Sequence, residues 1–415
     1  MASKLSRFFK FSLIFLLLFI NIYKYGCTRR GPGEIVIWTQ MSPEGRGVLQ
    51  DIIERYMSQT PGIKVSQLFY ETEELRSNFQ IAALGGSGPD LIFGPSDQVG
   101  PFKVMDIIQP LEDFFDSTFL EEFMENSLIW YKGHLYQIAD RIGNHLVLVY
   151  NRDILPVPPK DTEELISMGQ KLTKDEDGDG LIDQYALVFN FREPFFFIPF
   201  LGGFGGWVMD DDYRPSLNTS ASVEAFKFML KLREKKIIPR ECDYDIANTL
   251  FKKGKAAMII NGPWSWGAYA KVGINFGITR IPRIKETGLW PTPMVSALGY
   301  SINVNTKGER LENTLKLLKY LLTSEVEIEF TRVLNSIPSR KDALSHPLVT
   351  KNPLVSSSLY QMEVGKPMPI VPEMRVIWDA MRPSYQALLN GSISPEQAAE
   401  QMQREAEKKI KEIRD

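Results

Sequence analysis

The sequence predicts an α/β protein in which helices flank a parallel sheet. The first observation is an alternation of strand-like and helix-like segments from residue 34 onward. The second is the length of 415 residues, of which 44% are hydrophobic and 24% charged, enough for two globular lobes with sizeable cores. The third is a long amphipathic helix at the carboxyl end.

The alternation begins directly after the amino-terminal segment. Apolar runs predict strands at 34–38 and 89–93, and another strand begins at 62–65. Apolar residues at helical spacing predict helices at 48–56 and 79–83 between them. Strands that are joined through helices in this order pair in parallel, because the helix returns the chain to the same end of the sheet.

The glycine-rich break at 85–88 does not have the pattern of a phosphate-binding loop. The sequence GGSGPD lacks the spacing and the terminal lysine of that motif. A strand follows it, whereas a phosphate loop opens a helix. The sequence therefore argues against nucleotide binding.

Further segments continue the pattern to the end of the chain. The run LVLVY at 146–150 predicts a strand that could carry the chain from one lobe to the other. Helical spacing predicts helices at 164–172, 221–235, 309–332 and 395–414. In the last of these, Ser394 is the expected cap and Pro395 occupies the first turn.

The amino terminus has the pattern of a signal peptide. A basic start that ends at Lys10 precedes an apolar stretch at 11–20, which is too short to span a bilayer comfortably. The segment KYGC at 24–27 resembles a bacterial lipobox, in which the cysteine is lipidated and becomes the first residue of the mature protein. We therefore predict a signal peptide at 1–26 and lipidation of Cys27.

The lipobox-like segment is atypical, which leaves an alternative open. Lys24 and Tyr25 stand where that motif has aliphatic and small residues. The alternative is an uncleaved anchor, and both interpretations place the body outside the cytoplasm, held at the cell membrane. Residues 27–33 would then form a tether to the folded body.

Charge and cysteine content narrow the class of protein. Residues 1–26 contain four basic residues and no acidic one, so their removal changes the formal net charge from −3 to −7. An acidic body argues against nucleic acid as a partner. If Cys27 carries lipid, the only other cysteine, Cys242, has no intramolecular partner, so the core must hold the fold without a disulfide.

Large aromatic side chains stand at several breaks between elements. The strand-like run 256–260 ends at a turn that is followed by Trp264 and Trp266. Aromatic faces beside carboxylate, amide and guanidinium groups suit a sugar, whose C–H faces stack while its hydroxyls need directed partners. For any single tryptophan, a core position is the alternative.

Acidic residues at alternate positions form a candidate calcium loop. Asp175, Asp177, Asp179 and Asp183 have the spacing of positions one, three, five and nine of such a loop. The twelfth position is Ala186 instead of the usual bidentate glutamate. A structural calcium ion and a plain solvated acidic turn both fit, and we expect no other cofactor.

Motifs of common hydrolases are absent from the sequence. The chain has three histidines, no HExxH motif and no GxSxG motif. A glycosidase needs only two facing carboxylates, which Glu193, Asp97 or Asp243 could supply. The sequence therefore argues against zinc and triad hydrolases but leaves a glycosidase open.

Five segments carry a family resemblance. They are GSGPDLIF at 86–93, YNRDILPVPPK at 150–160, EPFF at 193–196, DYDIANTLFKKGKAAMIINGPWSW at 243–266 and PMPIVPEMRVIWDAMR at 367–382. In order and approximate spacing they are similar to maltodextrin-binding proteins and their relatives, the solute-binding lipoproteins of ATP-binding cassette sugar importers. The resemblance covers essentially all of the mature chain.

The resemblance implies a particular α/β architecture. It is the two-lobed periplasmic-binding-protein-like fold, in which the chain crosses between the lobes three times and a hinge closes the cleft around the ligand. Lobe I would contain residues 34–145 and 283–336. Lobe II would contain residues 146–282 and 337–415.

The resemblance also implies the ligand-binding residues. By position in the motifs, family sugar contacts match Glu193, Pro194, Phe195, Phe196, Tyr244, Trp264, Met368, Trp378 and Arg382. Asp97 matches a hydroxyl acceptor on the other lobe. Asn144 stands where the family has Glu, Gly94 where it has Trp and Gln98 where it has Arg. The substrate class is therefore retained, while maltose itself stays open.

The implied function is capture of an oligosaccharide outside the cell, without covalent chemistry. The closed protein, a monomer, would then present the sugar to the membrane permease of an ATP-binding cassette importer. One alternative is a secreted glycan-active hydrolase that uses Glu193 as its acid. The other is a binder of a polyol or a sugar phosphate.

Overall fold

The computed structural model describes residues 30–414, which form two mixed sheets with helices packed on them. The predicted signal peptide and Cys27 lie outside the described residues. Within residues 30–414, no helix is both long and apolar enough to cross a bilayer.

The elements alternate along the chain, as the sequence predicts. The strands are β1 (Glu34–Thr39), β2 (Lys64–Phe69), β3 (Leu91–Pro95), β4 (Leu128–Tyr131), β5 (His134–Asn144), β6 (Val147–Asn151), β7 (Tyr185–Val188), β8 (Ala256–Asn261), β9 (Phe276–Thr279), β10 (Met294–Ile302), β11 (Ile337–Pro338) and β12 (Lys366–Pro367). The helices of the first half are α1 (Pro43–Gln59), α2 (Thr72–Leu84), α3 (Val99–Val104), α4 (Ser117–Glu121), α5 (Thr162–Leu172), α6 (Ile198–Gly203) and α7 (Ser220–Glu234). The helices of the second half are α8 (Tyr244–Lys252), α9 (Trp266–Lys271), α10 (Gly308–Leu321), α11 (Ser324–Leu334), α12 (Lys341–Leu344), α13 (Pro347–Thr350), α14 (Pro353–Met362), α15 (Pro372–Leu389) and α16 (Pro395–Arg414).

The first sheet has the strand order β11-β5-β10-β3-β1-β2, with β4 beside β5 and β12 beside β10. Its strands β1, β2 and β3 pair in parallel, as predicted. The sheet as a whole is mixed, because β10 pairs antiparallel with both β3 and β5. These strands come from distant parts of the chain, so no helical crossover fixes their direction.

The second sheet has the order β7-β8-β6-β9 and is also mixed. Strand β8 is parallel to β7 and antiparallel to β6. Only two residues separate β5 in the first sheet from β6 in the second, so the chain passes there from one lobe to the other. It returns at β10 and leaves again for the closing helices α15 and α16, which pack against each other and on α7.

The residue boundaries of the lobes stay predictions, with two differences in strand pairing. Strand β11 lies in the first sheet beside β5, and β12 lies there beside β10, whereas the sequence assigns residues from 337 onward to lobe II. For β11 the cause is local. Helix α11 is capped by Asn335 in the left-handed conformation, which turns the chain back onto the sheet.

Each lobe has its own hydrophobic core. One cluster surrounds the second sheet and includes the fully buried Trp266, so the core alternative holds for that indole. Two further clusters cover the two faces of the first sheet. The helix predicted at 309–332 is two helices, because Leu322 and Thr323 leave the helical conformation and bury Leu322 in the core.

Candidate functional site

Three aromatic side chains from separate parts of the second lobe form a partly buried surface that we call the aromatic wall: Phe195, Trp264 and Trp378. The ring centroid of Phe195 lies 6.5 Å from that of Trp264 and 6.4 Å from that of Trp378. Trp378 lies on α15, whereas the other two lie in short 3-10 turns. Phe195 and Trp264 are partly exposed and Trp378 is buried, so the first two rings offer apolar surface of the kind on which a sugar stacks.

The end of strand β8 positions Trp264. The strand stops at Asn261, and a 3-10 turn over Pro263–Ser265 follows. The Ser265 hydroxyl donates to the Gly262 carbonyl oxygen at 2.7 Å, which closes the turn. A Cβ atom at Gly262 would lie 2.0 Å from the Trp264 ring, so only glycine lets the indole lie against the backbone.

Tyr244 lies next to this turn, at the first residue of α8. The Asp243 side chain caps the helix by accepting from the Ile246 amide at 2.9 Å. Burial raises the pKa of Tyr244, and hydrogen bonds to Trp264 and Asn261 act in the opposite direction. The tyrosine is 37% exposed as a residue, so one side of it remains open to a ligand.

A charged pair borders the aromatic wall. Arg382 donates from Nε to both carboxylate oxygens of Glu193 at 3.2 Å, and from Nη2 to Oε2 at 3.0 Å. Arg382 follows Trp378 by one helical turn, and Glu193 precedes Phe195 by two residues. Fixed donors and acceptors therefore stand beside the apolar faces, which is the combination that a sugar needs.

The remaining second-lobe candidates are Pro194, Phe196 and Met368, and all three are buried. Pro194 and Phe196 are buried in the same 3-10 turn as Phe195, and the Phe196 ring meets that of Phe195 edge-on at 5.8 Å. Met368 is buried, and its backbone amide donates to the Val295 carbonyl oxygen at 2.9 Å. These three residues therefore expose little surface of their own.

The first lobe supplies polar groups. Asp97 is almost buried, and Arg76 Nη2 lies 3.9 Å from its Oδ2 atom. Burial raises the pKa of Asp97, and the nearby Arg76 charge partly offsets that effect. Its Oδ1 atom accepts no hydrogen bond from any residue in the range 30–414, so this acceptor is unpartnered, and it is closed to solvent in this conformation.

Gly94 and Gln98, which both depart from the family pattern, pack against each other. The Gln98 side chain lies over Gly94, where an added Cβ atom would be 2.5 Å from Gln98 Oε1. An amide therefore covers the place that a tryptophan side chain would take. Asn144 lies at the end of β5 and donates to the Ser296 hydroxyl at 2.9 Å, which ties it to β10. Ligand contact by Asn144 stays a prediction.

Comparison with known proteins agrees with this geometry. Residues 51–356 match the protein family described as bacterial extracellular solute-binding protein. The chain belongs to this family. The predicted family resemblance is therefore confirmed.

Three relatives show the range of similarity. The maltose/maltodextrin-binding domain MalE from Bdellovibrio bacteriovorus, solved with maltotriose bound, is 49% identical and superimposes with a TM-score of 0.89, covering 91% of this chain and 100% of that chain. The maltotriose-binding protein of Pyrococcus abyssi is 26% identical over 367 residues, which are 86% of this chain and 78% of the relative. A maltooligosaccharide ABC transporter solute-binding lipoprotein of Streptococcus pneumoniae is 21% identical over 363 residues, 84% of this chain and 83% of the relative. The two-lobed α/β fold is thereby confirmed.

The acidic loop brings together three of its four predicted ligands. Carboxylate oxygens of Asp175, Asp177 and Asp183 all lie within 4.8 Å of one another, and Asp179 is outside this group. Asp179 Oδ1 instead accepts from the Leu181 amide at 2.7 Å. Such turns also form without an ion, so calcium binding stays a prediction.

Sequence reasoning missed four charged residues around the site: Glu73, Arg76, Arg375 and Asp379. Arg76 contacts Glu73 at 3.3 Å, and Arg375 contacts Asp379 at 3.0 Å. The signal was present as opposite charges at spacings of three and four residues, although neither pair lies within a helix that was predicted from the sequence. That spacing is common on solvated helix faces, so by itself it did not single these residues out.

Proposed function

We propose that this chain binds a maltodextrin-type oligosaccharide between its lobes and delivers it to the membrane permease of an ATP-binding cassette importer. The aromatic wall of Phe195, Trp264 and Trp378, next to the Glu193–Arg382 pair, carries the proposal. The 49% identity to a maltotriose-bound protein supports the choice of ligand class. The name of the pneumococcal lipoprotein supports the link to import.

The sugar would bind in two steps. Its apolar faces first stack on the aromatic wall of the second lobe. Closure of the hinge then brings the free Oδ1 atom of Asp97 on the first lobe to a sugar hydroxyl. A ligand that contacts both lobes favours the closed state by the amount that it binds this state more tightly. The permease would recognise that closed form.

Calorimetric titration of the purified protein with maltotriose, maltose, a polyol and a sugar phosphate tests the proposal. We expect maltotriose to bind and the polyol and the sugar phosphate not to bind. Binding of the sugar phosphate alone would replace the proposal with the alternative solute class. A protein that binds none of the four is not a receptor of this type.

We further propose that the chain does no covalent chemistry. The relatives are named as binding proteins. Both carboxylate oxygens of Glu193 accept hydrogen bonds from Arg382, so the group that a hydrolase would need as its acid is held in an ion pair. Incubation with a panel of glycans should release no new reducing ends. Their appearance would favour a hydrolase that uses Glu193.

We propose that the protein lies outside the cytoplasm. We also propose that it carries a lipid on Cys27 and that its folded body is a monomer. The family is extracellular, and a relative is named a lipoprotein. Mass spectrometry of the membrane-extracted protein should find a lipidated Cys27 as the first residue, and Cys27→Ser should release the protein from membranes. Light scattering of the soluble body should give the mass of one chain.

A further inference from the structure

An ion pair joins the two lobes close to the proposed site. Arg375 on α15 of the second lobe donates from Nη1 to Glu73 Oε1 at 2.9 Å, and its Nη2 lies 2.8 Å from Glu73 Oε2. Glu73 lies in the first turn of α2, which belongs to the first lobe. The contact is thus a two-point pairing of guanidinium and carboxylate, the geometry that fixes both groups in orientation.

On the first lobe, Glu73 leads to a predicted sugar contact through Arg76. Arg76 is buried, and its guanidinium lies between Glu73, at 3.3 Å, and Asp97, at 3.9 Å. A buried cation needs anionic or hydrogen-bonding partners, and Arg76 Nε has none among residues 30–414. Glu73 therefore helps to hold Arg76 against Asp97, and through it fixes the carboxylate of this predicted contact.

On the second lobe, Arg375 leads to another predicted contact through Asp379. Asp379 Oδ1 lies 3.0 Å from Arg375 Nη2 and 3.4 Å from Arg382 Nη1. Arg382 in turn holds Glu193. Charges of alternating sign therefore run from one half of the proposed site to the other, and the Arg375 contact to Glu73 is the link between the lobes.

The geometry points to Glu73 and Arg375 as positioning residues of the sugar site, whose ion pair joins the two halves of the site in the closed cleft. This inference rests on the proposed function. Separation of the lobes pulls α2 away from α15, so the pair stabilises the closed state alone. A contact made only in the closed state increases the apparent affinity for any ligand that requires closure.

A double-mutant cycle tests the inference. Glu73→Gln, Arg375→Gln and the double variant are each titrated with maltotriose by calorimetry. Each single change should weaken binding roughly two- to fivefold, and the loss of binding free energy in the double variant should be smaller than the sum of the two single losses, because either single change already breaks the pair. Raising NaCl from about 0.02 M to about 0.5 M should weaken binding by the wild type more than by the variants.

Glu74→Gln is the matched control, because Glu74 is an exposed neighbour on α2 for which residues 30–414 form no ion pair. It should bind as the wild type does. In ligand-free small-angle scattering, the wild type should be more compact than Glu73→Gln. Losses that add in the double variant, or equal compactness of the two proteins, would overturn the inference. If the wild type fails to bind maltotriose, the proposed function fails instead, and the scattering comparison still decides the role of the ion pair.

Discussion

Arg382 donates to both carboxylate oxygens of Glu193, with its Nε atom 3.2 Å from each. The two residues are 189 positions apart in the chain. Arg382 follows Trp378 by one helical turn, and Glu193 precedes Phe195 by two residues. A lysine at position 382 would keep the positive charge, but it has no planar fork with which to reach both oxygens. The relationship therefore depends on the shape of the guanidinium group as well as its charge.

We expect Arg382→Lys to weaken maltotriose binding by about 1 to 2 kcal/mol, because one of the directed hydrogen bonds beside the aromatic wall is lost. Calorimetry measures the change, and the melting temperature reports whether the fold is intact. Arg404→Lys, at an exposed arginine on α16 away from the aromatic wall, serves as the comparison. If Arg382→Lys binds maltotriose as the wild type does, the Glu193–Arg382 pair is not a ligand contact.

The two tryptophans near the end of β8 should respond in opposite ways to substitution. Trp264→Ala should weaken sugar binding by about 1 to 3 kcal/mol with the fold intact, because a stacking face is lost. Trp266 is fully buried, so Trp266→Ala should lower the free energy of unfolding by about 3 to 5 kcal/mol. Calorimetry and thermal denaturation of both variants give the comparison. Unchanged affinity in Trp264→Ala would refute its role as a platform.

Glu327 is a buried carboxyl group in the first lobe that contacts Ser339. The Ser339 hydroxyl oxygen lies 2.6 Å from Glu327 Oε1 and 2.7 Å from the Ala139 carbonyl oxygen. One hydroxyl proton can serve only one of these acceptors. With a proton on its carboxyl group, Glu327 donates to the Ser339 hydroxyl oxygen, and the Ser339 hydroxyl donates to the Ala139 carbonyl oxygen. Burial raises the pKa of Glu327 from its ordinary value of 4.5 to about 8, against the opposing hydrogen bonds from Ser339.

This raised pKa predicts how stability depends on pH. Between 4.5 and about 8 the unfolded carboxyl group is ionised while the folded one keeps its proton, so this group's contribution to stability falls as pH rises. The loss is at most about 1.4 kcal/mol per pH unit. Glu327→Gln does not titrate, so its melting temperature relative to the wild type should rise from about pH 5 to about pH 8. A difference that is constant across this range would contradict the prediction.

Calcium should stabilise the acidic loop if the loop holds the ion. Asp175, Asp177 and Asp183 supply carboxylate oxygens close enough to share one cation. We expect calcium to raise the melting temperature of the wild type, with about 2.7 kcal/mol of stabilisation at a hundred times the dissociation constant, and chelation to reverse it. Asp177→Asn should abolish the response. If calcium raises the melting temperature of Asp177→Asn equally, or does not raise that of the wild type, the loop is a plain solvated turn.

The sequence by itself determined the features that depend on local pattern. Apolar runs located β1 and β3, helical spacing located the closing helix with Ser394 at its cap, and the strand followed by a turn located Trp264. These features are readable because a period of two or 3.6 residues records which side of an element is buried. The motifs were specific enough to predict the family, which the match over residues 51–356 confirms.

Only the tertiary structure decided how distant segments meet. It placed β10 antiparallel within the first sheet, brought Arg375 to Glu73, and set Glu327 beside Ser339. None of these contacts has a local signature, because each joins residues that the chain connects only through other elements, and opposite charges or polar groups elsewhere in the sequence would pair equally well. Folding selects among them by burying both cores at once, and that selection places α15, which carries Trp378, beside the 3-10 turn that contains Asp97.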